Sequence, residues 1–143
     1  MTVKQLSVFA QNKPGRLSAL TGILAENGVN IRAISVADTS DFGILRIIVS
    51  DIDKAKEALK DSAVVSQTKV LAVIAEDKPG GMARMMETLY KANISVEYMY
   101  SAFLNPSEST ACLILRVDNN EGAVAALTEG GFKLLSQEDM AKI

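Results

Sequence analysis

The sequence predicts an α+β protein of two tandem ferredoxin-like βαββαβ domains, each with an antiparallel sheet and both helices on one face. Three observations carry that expectation. The first is a repeat: Leu6-Ser7-Val8-Phe9-Ala10-Gln11-Asn12-Lys13-Pro14-Gly15 returns as Leu71-Ala72-Val73-Ile74-Ala75-Glu76-Asp77-Lys78-Pro79-Gly80, with Pro79 standing 65 positions after Pro14. A period of that length is a small domain, not a solenoid turn. The second is the order of hydrophobic periodicities, in which strand-like runs and helical spacing alternate in the same sequence in both halves. The third is punctuation by Lys-Pro-Gly corners and glycine stops. The expected domains are residues 1–67 and 68–143.

Val3 to Ala10 reads as the first strand. Pro14 suits the first turn of a helix, with Asn12 as a capping candidate. Leu17, Leu20, Thr21 and Leu24 then share one helical face, and Asn27-Gly28 stops the helix, Gly28 being free to turn left-handed. Asn30 to Asp38 is a second strand. A turn around Asp41, Phe42 and Gly43 leads to a third, Ile44 to Ser50. Asp51 or Asp53 can cap a helix whose Ile52, Ala55 and Leu59 align, and Val64-Val65 begins a short fourth strand.

The second half repeats this order. Val70 to Ala75 is a strand, and the helix after Pro79 aligns Met82, Met85, Met86 and Leu89. Ile94 to Phe103 is the next strand, followed by a longer hairpin through Asn105, Pro106, Ser107, Glu108 and Ser109. Ala111 to Val117 is the third strand. Asp118 and Asn120 are cap candidates for a helix through Val124 and Leu127. Gly130-Gly131 ends it before a last strand, Phe132 to Leu135. Crossovers of this pattern are right-handed, which places both helices of a half on one face. On the other face of the third strand Ile44 and Ile48 are apolar and only Arg46 interrupts them, so that face should need a partner. A homodimer is therefore expected.

Composition narrows the function. Hydrophobic residues make up 48% of the 143 positions, enough for a packed core, and the net charge is −2 with both signs interspersed. There is no basic stripe, so no nucleic-acid partner is expected. No apolar run nears the length of a membrane span, and Met1-Thr2-Val3-Lys4-Gln5 has no signal-peptide pattern, so the expectation is a cytoplasmic protein without a membrane partner. The single cysteine, Cys112, lies in an apolar run and reads as a buried, inert thiol. Histidine is absent. That removes the commonest general base and transition-metal ligand, so neither a Ser-His-Asp or Cys-His mechanism nor a zinc site is expected. No phosphate-loop motif occurs, and no cofactor or metal is expected.

At Asn12-Lys13-Pro14-Gly15-Arg16-Leu17 with Gly28-Val29-Asn30-Ile31, and again at Asp77-Lys78-Pro79-Gly80-Gly81-Met82 with Asn93-Ile94-Ser95-Val96, the chain resembles the ACT domain family. The resemblance covers both halves. It implies a regulatory, non-enzymatic module that binds a small ligand, typically an amino acid, at domain interfaces. By resemblance the ligand site comprises Asn12, Lys13, Pro14, Gly15, Arg16 and Leu17 with Asn30 and Ile31. Asp77, Lys78, Gly80, Gly81, Met82 and Ser95 are the second set. Some serine-binding members of the family carry a histidine where this chain has Ala10 and Ala75.

The residues suit such a ligand on their own chemistry. Asn12 and Asp77 can accept from an ammonium. Gly15, Gly80 and Gly81 let a carboxylate approach backbone N–H groups at a helix N-terminus. Asn30 offers both a donor and an acceptor. Each also has a structural reading. Asn12 and Asp77 can be helix caps, Pro14 and Pro79 helix-start residues, Lys13 and Lys78 solvated charges, and the Met82, Met85, Met86 stripe core. Arg46 and Arg116 do not align between the halves and read as local surface or interface residues. Three readings stay open: a ligand-sensing regulator acting on a protein partner or on its own assembly, a pure oligomerisation module, and a small enzyme.

Overall fold

The stretch from Val64 to Glu76 holds no glycine or proline and has four valines, so nothing in it stops an extended chain. It forms one strand of 13 residues, and this strand joins the two halves. The computed structural model describes residues 1–38, 42–103 and 109–142. In order the elements are β1 (Val3–Gln11), α1 (Arg16–Glu26), β2 (Ile31–Asp38), β3 (Phe42–Val49), α2 (Ile52–Leu59) and β4 (Val64–Glu76). Then come α3 (Gly81–Lys91), β5 (Val96–Ser101), β6 (Thr110–Val117), α4 (Asn120–Glu129), β7 (Lys133–Leu135) and α5 (Gln137–Lys142). The turn at Asp41 and the hairpin through Asn105, Pro106, Ser107 and Glu108 lie outside the described residues.

All seven strands form one sheet in the order β2-β3-β1-β4-β6-β5, with β7 also paired to β4. The first half uses the start of β4 and the second its end, so each half keeps the ferredoxin-like βαββαβ order. The short strand expected at Val64-Val65 and the strand expected at Val70 are thus one element, and residues 67 and 68 lie inside it. The sheet curls until its edges meet: Ala33 of β2 bridges to Ala102 just past β5, and Phe103 N–H donates to the Arg32 carbonyl at 3.0 Å.

Helices cover the outside of the curl. α1 and α2 bury Leu20, Leu24, Ala55 and Leu59 against Leu6, Val8, Leu45, Ile47 and Val49. α3 and α4 bury Met85, Leu89, Ala123 and Leu127 against Leu71, Val73, Leu113 and Leu115. Both long helices end the same way. Gly28 has φ 68° and Asn93 φ 59°. Val29 N–H reaches back to the Leu24 carbonyl, and Ile94 N–H to that of Leu89, each at 2.9 Å. These are paired Schellman closures. Asp51 caps α2 through Lys54 N–H at 3.1 Å. The cap of α4 is Asn119, donated to by Gly122 N–H at 2.9 Å, not Asp118 or Asn120. Asp118 instead accepts from Ser95 N–H at 3.0 Å.

The inside of the curl forms a third core. Val3, Ala33, Ile48, Val70, Ala72, Ala102, Cys112, Ile114, Leu135 and Met140 pack together there. Ile48, expected to need a second copy, is thus covered by the chain's own other half. Cys112 is buried as expected, and burial pushes its thiol up to about 11. Alongside lies a polar cluster. Gln5, fully buried, donates to Tyr98 Oη at 2.8 Å and to Ser7 Oγ at 3.2 Å, and accepts from Tyr100 Oη at 2.7 Å. Arg46 stacks 3.9 Å over the Tyr98 ring, and Arg116 donates to the Lys69 carbonyl at 3.0 Å. Both arginines therefore link strands of the curled sheet. Helix α5 closes the end: Gln137 Oε1 accepts from Lys4 N–H at 2.7 Å, and Arg32 Nη2 donates to the Ala141 carbonyl at 3.0 Å.

Candidate functional site

Each Lys-Pro-Gly corner is a turn rather than the start of a helix. Arg16 N–H donates to the Lys13 carbonyl at 3.1 Å and Gly81 N–H to that of Lys78 at 3.0 Å. Gly15 has φ 84°, ψ −9° and Gly80 φ 87°, ψ −11°. Proline before a left-handed glycine is the chemistry of a type II turn. The two glycines occupy the N-cap positions of α1 and α3, and neither can supply a capping side chain. Asn12 and Asp77 are therefore not the N-caps. Both helices present an N-terminal end with first-turn N–H groups that no N-cap side chain serves.

A cavity adjoins each corner. The first, about 430 Å³, is lined by Asn12, Lys13, Pro14, Gly15, Arg16 and Leu17, backed by Ala10, Val36, Gly43 and Leu45. The second, about 410 Å³, is lined by Lys78, Pro79, Gly80 and Gly81 with Glu76, Arg84, Thr110, Phe132 and Lys133. Both sizes fit a small-molecule ligand. They open on different sides of their corners because the first helical residue differs. In the first half Arg16 reaches across to the Ser62 carbonyl and occupies the side facing the α2–β4 connection. In the second half Gly81 stands there, and a Cβ on it would lie 2.0 Å from the Glu76 carbonyl oxygen. That side stays open, and Arg84 reaches the corresponding connection instead. Its Nη1 donates to the Gly130 carbonyl at 3.1 Å, and its guanidinium lies 4.0 Å over Phe132.

Several expected residues fall elsewhere. Asn30 and Ile31 follow the C-terminal end of α1, one helix length (about 16 Å) from its corner. There the Asn30 N–H donates to Ser50 Oγ at 2.9 Å, and the Asn30 carbonyl accepts from Ser50 N–H at 2.9 Å. Ser95 likewise sits past α3, tied to Asp118. In each half the helix itself separates the two sets that sequence spacing had grouped. Asp77 does not line the second cavity; its N–H donates to the Ser109 carbonyl at 2.9 Å, and the preceding Glu76 supplies the carboxylate. Lys78 pairs with Glu76 at 2.5 Å, and that hydrogen bond and charge hold the Glu76 carboxyl below its ordinary value. Leu17 and Met82, expected on core stripes, are 45% and 40% exposed beside the corners. The charged and aromatic residues of the second cavity missed from sequence are Glu76, Arg84, Phe132 and Lys133. Only the Gly130-Gly131 stop, which sets Phe132 under the Arg84 guanidinium, hinted at any of them.

The corners do not face one another. β1 and β4 are antiparallel with Phe9 opposite Val64, so the first corner lies near the start of β4 and the second follows its end. Along the strand that separation is about 40 Å. The two cavities share no lining residue among those described.

Comparison with known proteins agrees with this architecture. No curated protein matches the sequence. Among solved structures, protein BT0572 from Bacteroides thetaiotaomicron is 40% identical over 100% of this chain and 98% of its own, with a TM-score of 0.93. The regulatory subunit of aspartate kinase from Thermus flavus superposes with a TM-score of 0.63 at 16% identity, covering 90% of this chain and 92% of its own. The ligand-free form of that subunit from Thermus thermophilus gives 0.64 at 16% identity, over 89% and 91%. The family model described as an ACT domain pair matches residues 1–143. The curled sheet of two ferredoxin-like halves, each with a Pro-Gly corner, is accounted for: this chain belongs to the ACT domain pair family.

Proposed function

We propose that the chain is a regulatory sensor that binds an amino acid at its corner cavities. The observation that carries this is the pairing, in both halves, of a type II Pro-Gly corner, a helix without an N-cap side chain and a cavity of about 400 Å³. The first-turn N–H groups and helix dipole suit the ligand's carboxylate. Asn12 in the first cavity and Glu76 in the second suit its ammonium. Occupancy would stiffen the corner and so favour one state of an assembly or of a complex with a regulated protein partner. The reading includes no catalytic step, and it rests there on the lack of histidine in the sequence. It places the protein in the cytoplasm; no helix among the described residues is long and apolar enough to cross a membrane. Thermal-shift and calorimetric screening against the twenty amino acids at millimolar concentration tests it. Stabilisation by at least one is expected, and no response to any would overturn it.

The same reading makes the protein a homodimer. The reason is no longer Ile48 but what remains uncovered beyond it. Phe9, Phe42 and Val64 are 40%, 55% and 71% exposed, and on adjacent strands Phe9 pairs with both Ile44 and Val64. This apolar patch lies across the sheet from the first cavity. Sedimentation velocity should show a dimer of the 15.3 kDa chain; a monomer at micromolar concentration would refute it.

A further inference from the structure

We propose that the second corner selects an acidic amino acid, a ligand with two carboxylates and one ammonium. The inference rests on the reading of the corners as amino-acid sites and adds to it the chemical class that one corner takes. Three cations, Lys78, Arg84 and Lys133, line this cavity against one carboxylate, Glu76. With Lys78 paired to Glu76, the lining carries an excess of two positive charges, which repels a cationic ligand and which a neutral zwitterion leaves unbalanced. Arg84 is already positioned. Stacking on Phe132 and the bond to the Gly130 carbonyl fix its guanidinium, while its other N–H groups remain for a carboxylate. The N-terminal end of α3 at Gly80-Gly81 offers a second carboxylate position on the same wall. Glu76 can accept the ammonium in exchange for its exposed pair with Lys78.

The first corner lacks this design. Its cations are Lys13 and Arg16, with no carboxylate among the described lining residues to take an ammonium; Arg16 is committed to the Ser62 carbonyl, and Ala10, Leu17, Val36 and Leu45 make the rest largely apolar. The two cavities lie at opposite ends of β4, so they share no lining residue among those described.

The test is titration calorimetry on the full chain with L-glutamate, L-aspartate, L-leucine, L-lysine and inorganic phosphate, at low salt and at high salt. The same titrations are run on Lys133→Gln and Lys78→Gln, both surface changes whose folding a thermal melt checks. Glutamate or aspartate should bind while lysine does not. Its affinity should fall by about threefold or more in each variant and again with salt. Binding of leucine or lysine with no binding of either acid would overturn the proposal while leaving the corners as amino-acid sites. So would acid binding that neither variant changes. Phosphate binding as tight as glutamate would reduce the cavity to a general anion site and overturn the acidic amino acid. No binding of any amino acid would remove the underlying reading along with it.

Discussion

Alanine at two adjacent glycines of the second corner should have very different consequences. At Gly80 the backbone is left-handed, φ 87°, and a Cβ would meet nothing within 4 Å. Only the conformational strain is felt, about 1–2 kcal/mol. At Gly81 the φ angle is ordinary, but a Cβ would lie 2.0 Å from the Glu76 carbonyl oxygen. Ordinary contact begins near 3.4 Å, so the backbones of the corner and of the end of β4 must part by about 1.4 Å. Neither atom is the tip of a flexible side chain, so the cost falls at the upper end of overpacking, about 3 kcal/mol. Urea denaturation of Gly80→Ala and Gly81→Ala reads the two values directly. The melting temperature should drop by about 10 °C for Gly81→Ala and by about 3–7 °C for Gly80→Ala. Gly81→Ala should also lose whatever ligand response the second cavity has, since the parted walls are its lining. Equal destabilisation by the two variants would refute the reasoning, because it would mean the close approach at Gly81 is not there.

Three further changes probe the closure of the sheet. Met140→Ala empties a fully buried place in the third core and should cost about 2–4 kcal/mol in denaturation. It should also speed the reaction of Cys112, its neighbour at 3.9 Å, with a thiol reagent; an unchanged rate would show that Met140 is not what shields it. Gln5→Leu removes the partner of both tyrosine hydroxyls and should cost about 2–3 kcal/mol. The double variant with Tyr100→Phe should cost about 1 kcal/mol less than the sum of the two single variants, and strict additivity would deny the bond. Ser136 holds the Asp139 carboxyl below its ordinary value through its backbone N–H and hydroxyl. A depressed carboxyl stabilises the fold above its unfolded value and loses that contribution as pH falls through its folded one. NMR titration of Ser136→Ala should therefore move the Asp139 midpoint upward, and an unchanged midpoint would contradict the cap.

Much of this architecture was legible because local chemistry dictates it. The left-handed stop at Gly28 and the Pro-Gly corners needed no tertiary information. The same holds for the alternation of β3 that turns Leu45, Ile47 and Val49 toward the helices. What escaped the sequence depends on closure. Ile48 looks like an open greasy face until the sheet curls and brings Ala102 and Met140 to it. Asn12 and Asn30 look like partners because they flank one helix, yet that helix sets them at opposite ends of the sheet. The run Asp118-Asn119-Asn120 offers three capable caps, and composition cannot rank them; backbone geometry chose the middle one. Helix α5 did carry a signal, since Ser136 and Asp139 have capping-box spacing, and both bonds form, Asp139 N–H to Ser136 Oγ at 3.0 Å and Ser136 N–H to Asp139 Oδ2 at 2.9 Å.

The central claim is that the corners hold the ligand. Amide NMR of the full chain, titrated with an amino-acid panel, tests it most directly, because Gly15, Gly80 and Gly81 give resolvable backbone signals at both sites. At least one amino acid should shift one or more of these amides together with first-turn neighbours such as Leu17 or Met82, saturably and at a single affinity per corner. Shifts confined to other surfaces, or none at millimolar ligand, would contradict the account.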